Sequence, residues 1–442
     1  MGDDVAAERL TERLAAIAGA DHVARPGPDA LPHAGIASPA LRVAPETLEQ
    51  AALALAACRA VGAPVVPWGG GTQQRIGRPP RAPYVALDTT RMRAVTAWEP
   101  ADLTTGVQAG ATLGAVQAAL AKQGQQLTID APVPERATIG GLIATNTSGP
   151  RRWLFGGWRD VVVGMAAAQT DGQVINSGGR VVKNVQGYDL AKLFIGSLGT
   201  LGLVGQVFVK LAPLPATRRI VGLAGDLDAV GRCAAAVAAA PLRLSAIDLL
   251  GDAALTACGV ALGPFAVLAL VEGERTVVDA QTLALMRQAT DAGLRTDVID
   301  GGEFDRGWGA WVNLGRTDDL SAHEALLTVS ARPSDAVEAV HAAERHAAER
   351  GLAARVWARA GNGAVYVRLS AADAASAPAL AQVQAALLTR WPATTLVAGD
   401  PAGGAAAQPW GADPEGLALM RTLKRGFDPS ATLQPGRFVG GI

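Results

Sequence analysis

The sequence predicts an α+β chain of 442 residues in two folded parts, with its ligand chemistry in the first. Three observations predict it. Short β-rich runs alternate with helical apolar spacing both before and after a Pro213-Leu214-Pro215 break. The length suits two or three domains of about 150 residues. Three ordered glycine clusters crowd the part before the break, where the later part is a plainer strand–helix alternation.

The elements follow in order. Glu46 to Val61 places Leu48, Ala51, Ala52, Leu55 and Cys58 at helical spacing, and Gly62 stops the helix. Pro64 to Val66 reads as a buried strand that runs into Trp68-Gly69-Gly70-Gly71-Thr72. Strands follow at Tyr84 to Leu87, Ala94 to Trp98 and Leu103 to Val107. A helix over Thr112 to Lys122 and a strand over Gln126 to Ile129 lead to a glycine-studded stretch, Pro132 to Gly149. Asp171-Gly172 joins Val161 to Gln169 and Val174 to Asn176 as a hairpin. Leu203 to Leu211 is the last strand before the break. Beyond it, helices fit Leu227 to Ala239, Val277 to Ala292, Ser334 to Arg350 and Ala379 to Leu388. Strands fit Phe265 to Val271, Leu326 to Ser330 and Ala364 to Leu369. Units of this size suggest helices on one face of an antiparallel sheet. Gly399 to Pro409 is an aperiodic linker, and Pro414 to Arg437 has room for one helix and a loop. No internal repeat is visible. The expected domains are 1–215, 216–400 and a returning segment, 401–442.

Composition excludes several classes. With 49% hydrophobic and 18% charged residues, the chain can bury a large core. Thirty-nine Lys and Arg against 40 Asp and Glu leave a net charge of -1, so no global field draws it to nucleic acid. Cys58, Cys233 and Cys258 are far apart and form no C-x-x-C pair, which rules against a disulfide framework, a cysteine-built zinc site or an iron–sulfur cluster. No metal site is expected. Met1-Gly2-Asp3-Asp4 is acidic where a secretory leader is basic, and apolar runs such as Pro264 to Val271 fall short of the ~20 residues of a membrane helix. A soluble cytoplasmic protein is expected. Arg so outnumbers the five Lys, and Ala, Gly and Pro are so abundant, that a GC-rich genome accounts for scattered glycines; ordered clusters still carry information.

Three clusters stand out. Consecutive glycines at 69–71 let backbone N–H groups converge into a nest for an anion such as a diphosphate; a tight turn satisfies the same three residues. No Gly-Lys-Ser/Thr makes it a P-loop, and prolines within Gln73 to Pro83 leave no long helix for a Rossmann fingerprint. The second cluster, Pro134 to Gly149, mixes glycines with Thr138, Thr145, Asn146, Thr147 and Ser148, small groups that hydrogen-bond without bulk. A close-packed loop would look similar. The third, Tyr188 to Val204, reads as helix, glycine-rich turn and strand, with Lys183, Lys192 and Lys210 nearby.

Together these stretches resemble the vanillyl-alcohol oxidase, or PCMH-type, flavoprotein family. The order is Pro-x-Gly-Gly-Gly-Thr, then Ala-Thr-Ile-Gly-Gly-x-x-Ala-x-Asn-x-Ser-Gly, then Gly-Ser-x-Gly-Thr-x-Gly. Phe427-Asp428-Pro429 and Leu433-Gln434-Pro435-Gly436-Arg437-Phe438 resemble that family's closing segment, with Gln434 in place of the usual Asn. The likeness covers Leu41 to Pro215 and the tail; spacing and length are similar to the E subunits of bacterial glycolate oxidase (glycolate dehydrogenase) complexes. The resemblance implies a two-lobed PCMH-type FAD-binding domain plus a ferredoxin-like α+β cap. It implies that Pro67, Trp68, Gly69, Gly70, Gly71, Thr72 and Gln73 wrap the FAD pyrophosphate. It puts Pro132, Thr138, Gly140, Gly141, Ala144, Thr145, Asn146, Ser148 and Gly149 along the flavin and its ribityl chain. Leu203 and Val204 then meet the adenine end, and Arg437 closes the pocket. On this reading a carboxylate introduced by Gly70→Asp would repel the diphosphate.

Departures from that pattern narrow the function. Covalent flavin attachment in this family uses a His or Cys near the first two clusters. His22, His33, His323, His341 and His346 lie elsewhere and Cys58 precedes the loop, so noncovalent FAD is expected. Hydroxyacid-oxidising relatives carry His-x-Gly-Asp-Gly-Asn-x-His, and the counterpart here is Arg359-Ala360-Gly361-Asn362-Gly363-Ala364-Val365-Tyr366. Neither Arg nor Tyr replaces a neutral imidazole as ligand or base. The resemblance therefore implies an FAD-holding subunit beside a larger FAD-containing hydroxyacid dehydrogenase subunit and an iron–sulfur subunit, peripheral at the inner membrane through its complex. Two alternatives stand: a self-sufficient oxidoreductase acting on a small 2-hydroxy acid through Arg359, Tyr366 or Lys424, and a flavin-free scaffold.

Overall fold

The computed structural model describes residues 2–26, 38–81, 83–179, 189–399 and 409–442. His33, Lys183, Tyr188 and the linker between Gly399 and Pro409 lie outside the described residues. The chain forms two compact units, Met1–Thr147 with Gly157–Pro213 and Asp413–Ile442, and Ser148–Gly156 with Leu214–Ala412. Residues 148–156 thus leave the first unit, where the sequence places them. Arg151 is the reason: its guanidinium meets Glu272 through Nε at 3.1 Å and a second nitrogen at 2.5 Å, and lies 4.6 Å from the Trp308 ring centre.

The first unit opens with helix α1 (Gly2–Ala18) and has two sheets. In the first, β1 (Val23–Ala24), β2 (Leu41–Val43), β4 (Val85–Asp88) and β3 (Val65–Trp68) lie in that order. Both β2 and β3 run parallel to β4, and helix α2 (Leu48–Ala60) carries the chain from β2 to β3. The Thr47 hydroxyl caps α2 by accepting from Gln50 N at 3.2 Å, and Gly62 ends the run at φ +67°. The parallel strands deliver their carboxyl ends, Trp68 and Asp88, to one edge, where ligands of open parallel sheets bind.

The second sheet is antiparallel, in the order β5 (Val95–Glu99), β6 (Thr104–Gln108), β10 (Leu203–Lys210), β8 (Val162–Ala168) and β9 (Val174–Gly178). Asp171-Gly172 turns β8 into β9, with Gly172 at φ +90°. Helix α3 (Leu113–Ala121) and the short helix α4 (Ile139–Thr145) bury Leu113, Val116, Ile139, Leu142 and Ile143 in the same core as Val207 and Val209. A two-residue ladder pairs β7 (Gln125–Gln126) with β11 (Ala212–Pro213).

The second unit holds an eight-stranded sheet. Its strands are β12 (Thr217–Gly225), β13 (Ala246–Gly251), β14 (Phe265–Gly273), β15 (Arg295–Ile299), β16 (Glu324–Ser330), β17 (Ala353–Arg359), β18 (Ala364–Ser370) and β19 (Thr395–Ala398). The spatial order is β15-β12-β14-β13-β17-β18-β16-β19, with antiparallel pairing throughout. Each half is a βαββαβ unit in the order 4-1-3-2, the ferredoxin-like arrangement. The halves meet at the second strand of each, Asp248 opposite Arg359. A structural repeat therefore exists where the sequence shows none. Buried Ala, Val and Leu from α8 (Leu227–Ala239), α10 (Arg275–Asp291), α12 (Ala336–Ala348) and α13 (Pro378–Arg390) cover one face. On the other, α9 (Asp252–Ala257) and α11 (Gly301–Val312) contribute Leu255, Phe304 and Trp311 to a separate cluster. The helices thus occupy both faces, not one. The remaining short helices are α5 (Arg152–Phe155), α6 (Trp158–Val161) and α7 (Ala191–Phe194), and α14 (Leu417–Phe427) opens the returning segment. No helix among the described residues is long and apolar enough to cross a membrane.

Candidate cofactor site

Beyond the carboxyl end of β3, a cleft partly open to solvent lies within the first unit. Three loops build it. The first is Pro67 to Gln74. Only Gly71 takes a positive φ there, +76°. Gly69 and Gly70 are glycine for a different reason: a Cβ on Gly69 would stand 2.2 Å from Thr138 Oγ1, and one on Gly70 would stand 1.7 Å from the Arg136 carbonyl oxygen. The loop is therefore side-chain-free because a second backbone segment lies against it. Gly70→Asp therefore meets a steric clash with the Arg136 carbonyl in addition to the charge repulsion expected from the sequence.

That second segment enters α4. Thr138 is its N-cap yet makes no side-chain capping bond, and this nearly buried residue lines the cleft with Gly140, Gly141, Ala144 and Thr145. Gly140 lets the helix approach Ala109, whose Cβ would stand 2.7 Å from an added one. The third segment, Ser197 to Val204, is tied to α4 by Gly196 N donating to Ile143 O at 2.9 Å and Leu198 N to Ala144 O at 2.7 Å.

Of the residues expected from the sequence, Pro67, Trp68, Gly69, Gly70, Gly71, Thr72, Gln73, Thr138, Gly140, Gly141, Ala144, Thr145, Leu203, Val204 and Arg437 line the cleft. Pro132 and Asn146 do not, and Ser148 and Gly149 belong to the second unit. Asn146 instead ends α4 in the left-handed region, φ 52°, a conformation asparagine tolerates. Pro132 is buried just before the turn that carries Arg136. Ser148 Oγ accepts from Arg152 at 3.1 Å and Gly149 O from Arg152 N at 3.2 Å, both inside the second unit. Gln74, Thr89, Ser197, Leu198, Gly199 and Gln434 also line the cleft. The Gly-Ser-x-Gly-Thr-x-Gly spacing carried enough information to find Ser197 and Gly199; nothing local marks Gln74 or Thr89.

Arg437 is buried, and its five N–H groups are all engaged. Nε donates to Arg78 O at 2.8 Å, one terminal nitrogen to Gln74 Oε1 and Gln434 Oε1 at 3.1 and 2.7 Å, and the other to Gln74 O and Ile76 O at 2.6 and 3.2 Å. Burial pushes the guanidinium down to about 10, with the Tyr84 phenol opposing. It acts on the loop, not as a free closing cation. Lys424, a candidate substrate contact, donates to Thr200 O at 2.9 Å, Asp428 Oδ2 at 2.6 Å and Leu433 O at 2.8 Å. All three hydrogens are used inside the fold. Burial lowers its pKa and Asp428 partly restores it.

Arg359 and Tyr366 lie in the second unit. Arg359 pairs with buried Asp248, which also accepts from Trp311 Nε1 at 2.7 Å. Burial pushes that carboxyl up, against the Arg359 charge and the Trp311 and Arg359 hydrogen bonds. Tyr366 stacks on Trp357, ring centres 5.2 Å apart. Lys192 and Lys210 serve surface contacts, to Asp189 at 3.0 Å and Asp160 O at 3.2 Å. No cluster of metal-ligating side chains exists among the described residues.

Comparison with known proteins decides the family. The FAD binding domain model matches residues 39–178. An uncharacterized FAD-linked oxidoreductase of Mycobacterium tuberculosis is 30% identical over 427 residues, 91% of both chains. The chain belongs to a family of FAD-linked oxidoreductases. The hydroxyl and backbone groups of the cleft, whose described lining carries no carboxylate, suit an anionic dinucleotide. Glycolate oxidase subunit GlcD of Bacillus subtilis is 33% identical over 48% of this chain and 46% of its own length. Glycolate oxidase subunit GlcE of Escherichia coli is 36% identical over 34% and 43%. The matches thus span less than half of these two relatives. Among solved structures, p-cresol methylhydroxylase with substrate bound superposes with TM-score 0.77 at 16% identity over 98% of this chain and 96% of that one. An alkyldihydroxyacetonephosphate synthase does so at 0.72 and 15%, over 97% and 84%. They share the fold.

Proposed function

We propose that this family member is the noncovalent FAD-holding subunit of a multi-subunit 2-hydroxy acid dehydrogenase of the glycolate type. It works beside a larger flavin-containing dehydrogenase subunit and an iron–sulfur subunit, supporting electron transfer or assembly, at the inner membrane through that complex. One observation carries the reading. Among the described residues, the cleft lining contains no His, Cys, Asp or Glu, and both cations considered for substrate, Lys424 and Arg359, are held in ion pairs within the fold. Oxidising a hydroxy acid needs a base at the hydroxyl, and a neighbouring subunit would supply it. Bound FAD supplies a two-electron acceptor. The chain's own groups would bind and orient it: the Gly69–Thr72 backbone and Thr138 line the cleft, whose described lining carries no thiol or imidazole to form a covalent link. The similarity to the two glycolate oxidase subunits above supports the assignment.

Native purification tests it. The expected material is yellow, releases all its FAD on acid precipitation, and contains an iron–sulfur protein. Glycolate or D-lactate bleaches the flavin only with the larger subunit present. Bleaching in the isolated chain would make it self-sufficient; a colourless chain that takes up no FAD would make it a scaffold.

A further inference from the structure

We propose that the segment from Lys424 to Arg437 is a latch that docks together with FAD, with Lys424, Gln434 and Arg437 as its positioning residues. The inference rests on FAD as the occupant of the cleft. The glycine loop after β3 and the turn before β10 are over a hundred positions apart in sequence, and this segment bolts both. Gln434 N donates to Val65 O at 2.9 Å, and Val65 N to Thr432 O at 2.7 Å, so the tail runs along the strand that launches the glycine loop. The Gln434 side chain reaches the other turn, Nε2 to Leu198 O at 3.0 Å, beside the Lys424 bond to Thr200 O. Arg437 grips Gln74, Ile76 and Arg78, and Arg78 N returns a bond to Arg437 O at 3.2 Å. Gln434 and Arg437 are themselves cleft wall.

Two features set this arrangement against holding its shape with the cleft empty. Leu198 and Gln434, bonded to each other, both sit in the left-handed region at φ 54° and 52°, a conformation non-glycine residues adopt only when their surroundings impose it. The Arg437 cation is buried in the cleft wall, and an anionic ligand in that cleft would offset part of the cost of its desolvation. A ligand that touches both loops and the tail must favour the docked tail, and by linkage the docked tail favours the ligand by the same factor.

Hydrogen exchange on the full chain, with and without FAD, reads this directly. The amides of 430–438 and 198–200 are expected to slow at least about tenfold on FAD addition, while α12 stays unchanged. Flavin fluorescence monitors binding in the same samples. FAD that binds without slowing those amides would overturn the latch and leave the cofactor reading intact; absence of FAD binding would overturn both. Arg437→Gln is expected to weaken FAD affinity at least about tenfold and leave the tail exchanging at its FAD-free rate. Arg437→Lys, which keeps the charge but cannot span the four acceptor residues, is expected not to rescue it. Full rescue by Lys would show that charge alone acts, against the latch.

Discussion

Placing a single methyl group on Gly70 is expected to remove FAD from the protein. An added Cβ stands 1.7 Å from the Arg136 carbonyl oxygen and 2.7 Å from its carbon, where real contacts stay beyond 3.0 Å. One backbone segment must retreat by more than about 1 Å. Neither is free to do so. Arg136 N and Ala137 N both bond to Val133 O, at 3.0 and 2.8 Å, and Gly114 N holds Pro134 O at 2.7 Å; on the other side Thr89 N holds Trp68 O at 2.9 Å. Overpacking costs about 1–3 kcal/mol where side chains can adjust, and backbone against backbone belongs at the upper end. If that strain falls on the FAD-competent loop, about 3 kcal/mol weakens affinity by more than a hundredfold. Flavin fluorescence titration measures it, with a thermal melt of the FAD-free variant to separate folding from binding. Gly70→Asp should be as weak as Gly70→Ala or somewhat weaker, since the clash is common to both. Gly302→Ala, with open space around the added atom, should change neither reading. Wild-type affinity in Gly70→Ala would refute the packing argument. An Asp variant far worse than Ala would return the explanation to charge.

Other outcomes follow from buried and charged groups. Lys424→Met strands the fully buried Asp428 carboxylate without its cation, and urea denaturation should record a loss of about 3–5 kcal/mol. Burial pushes Glu324 up, but hydrogen bonds from Arg368, Ser321 N and Ser370, with the Arg368 charge, outweigh it and bring the carboxyl down to about 2 from 4.5. Its contribution is therefore whole above pH about 4.5 and lost as pH falls toward 2, and Glu324→Gln should flatten the stability profile across that window. Burial pushes the Cys58 and Cys258 thiols up to about 12 and raises that of Cys233 as well. Native protein should leave a thiol reagent unreacted at neutral pH, with all three cysteines appearing on unfolding.

The sequence exposed those parts of the fold whose physics is local. The α2 helix has a capping threonine, regular apolar spacing and a terminal glycine, and the Asp171-Gly172 turn announces its hairpin. The glycine clusters locate the cleft because close backbone approach leaves no alternative to glycine. Legibility fails where tertiary partners do the work. Strand β13 carries Asp248 at its centre, which argues against a buried strand until Arg359 and Trp311 are seen to meet it. Helix α4 contains Gly140 and Gly141, poor helix formers, and persists because Ile139, Leu142 and Ile143 are buried. Arg437 and Lys424 read as available cations in one dimension. Asp428 and Gln434 are near in sequence, but Thr200, Gln74, Ile76 and Arg78 lie hundreds of residues away, so only the folded chain reveals that every donor is committed.

The insertion of the second unit between Pro213 and Asp413 also fixes an order of events during synthesis. The glycine loop emerges from the ribosome early, but the residues that finish its enclosure follow a whole further domain. At about 5–20 residues per second, that interval lasts on the order of 10–40 s. A nascent chain is thus expected to expose a half-walled hollow while its second unit is made, and loading with flavin is expected to be a late step, after Gln434 and Arg437 have been translated.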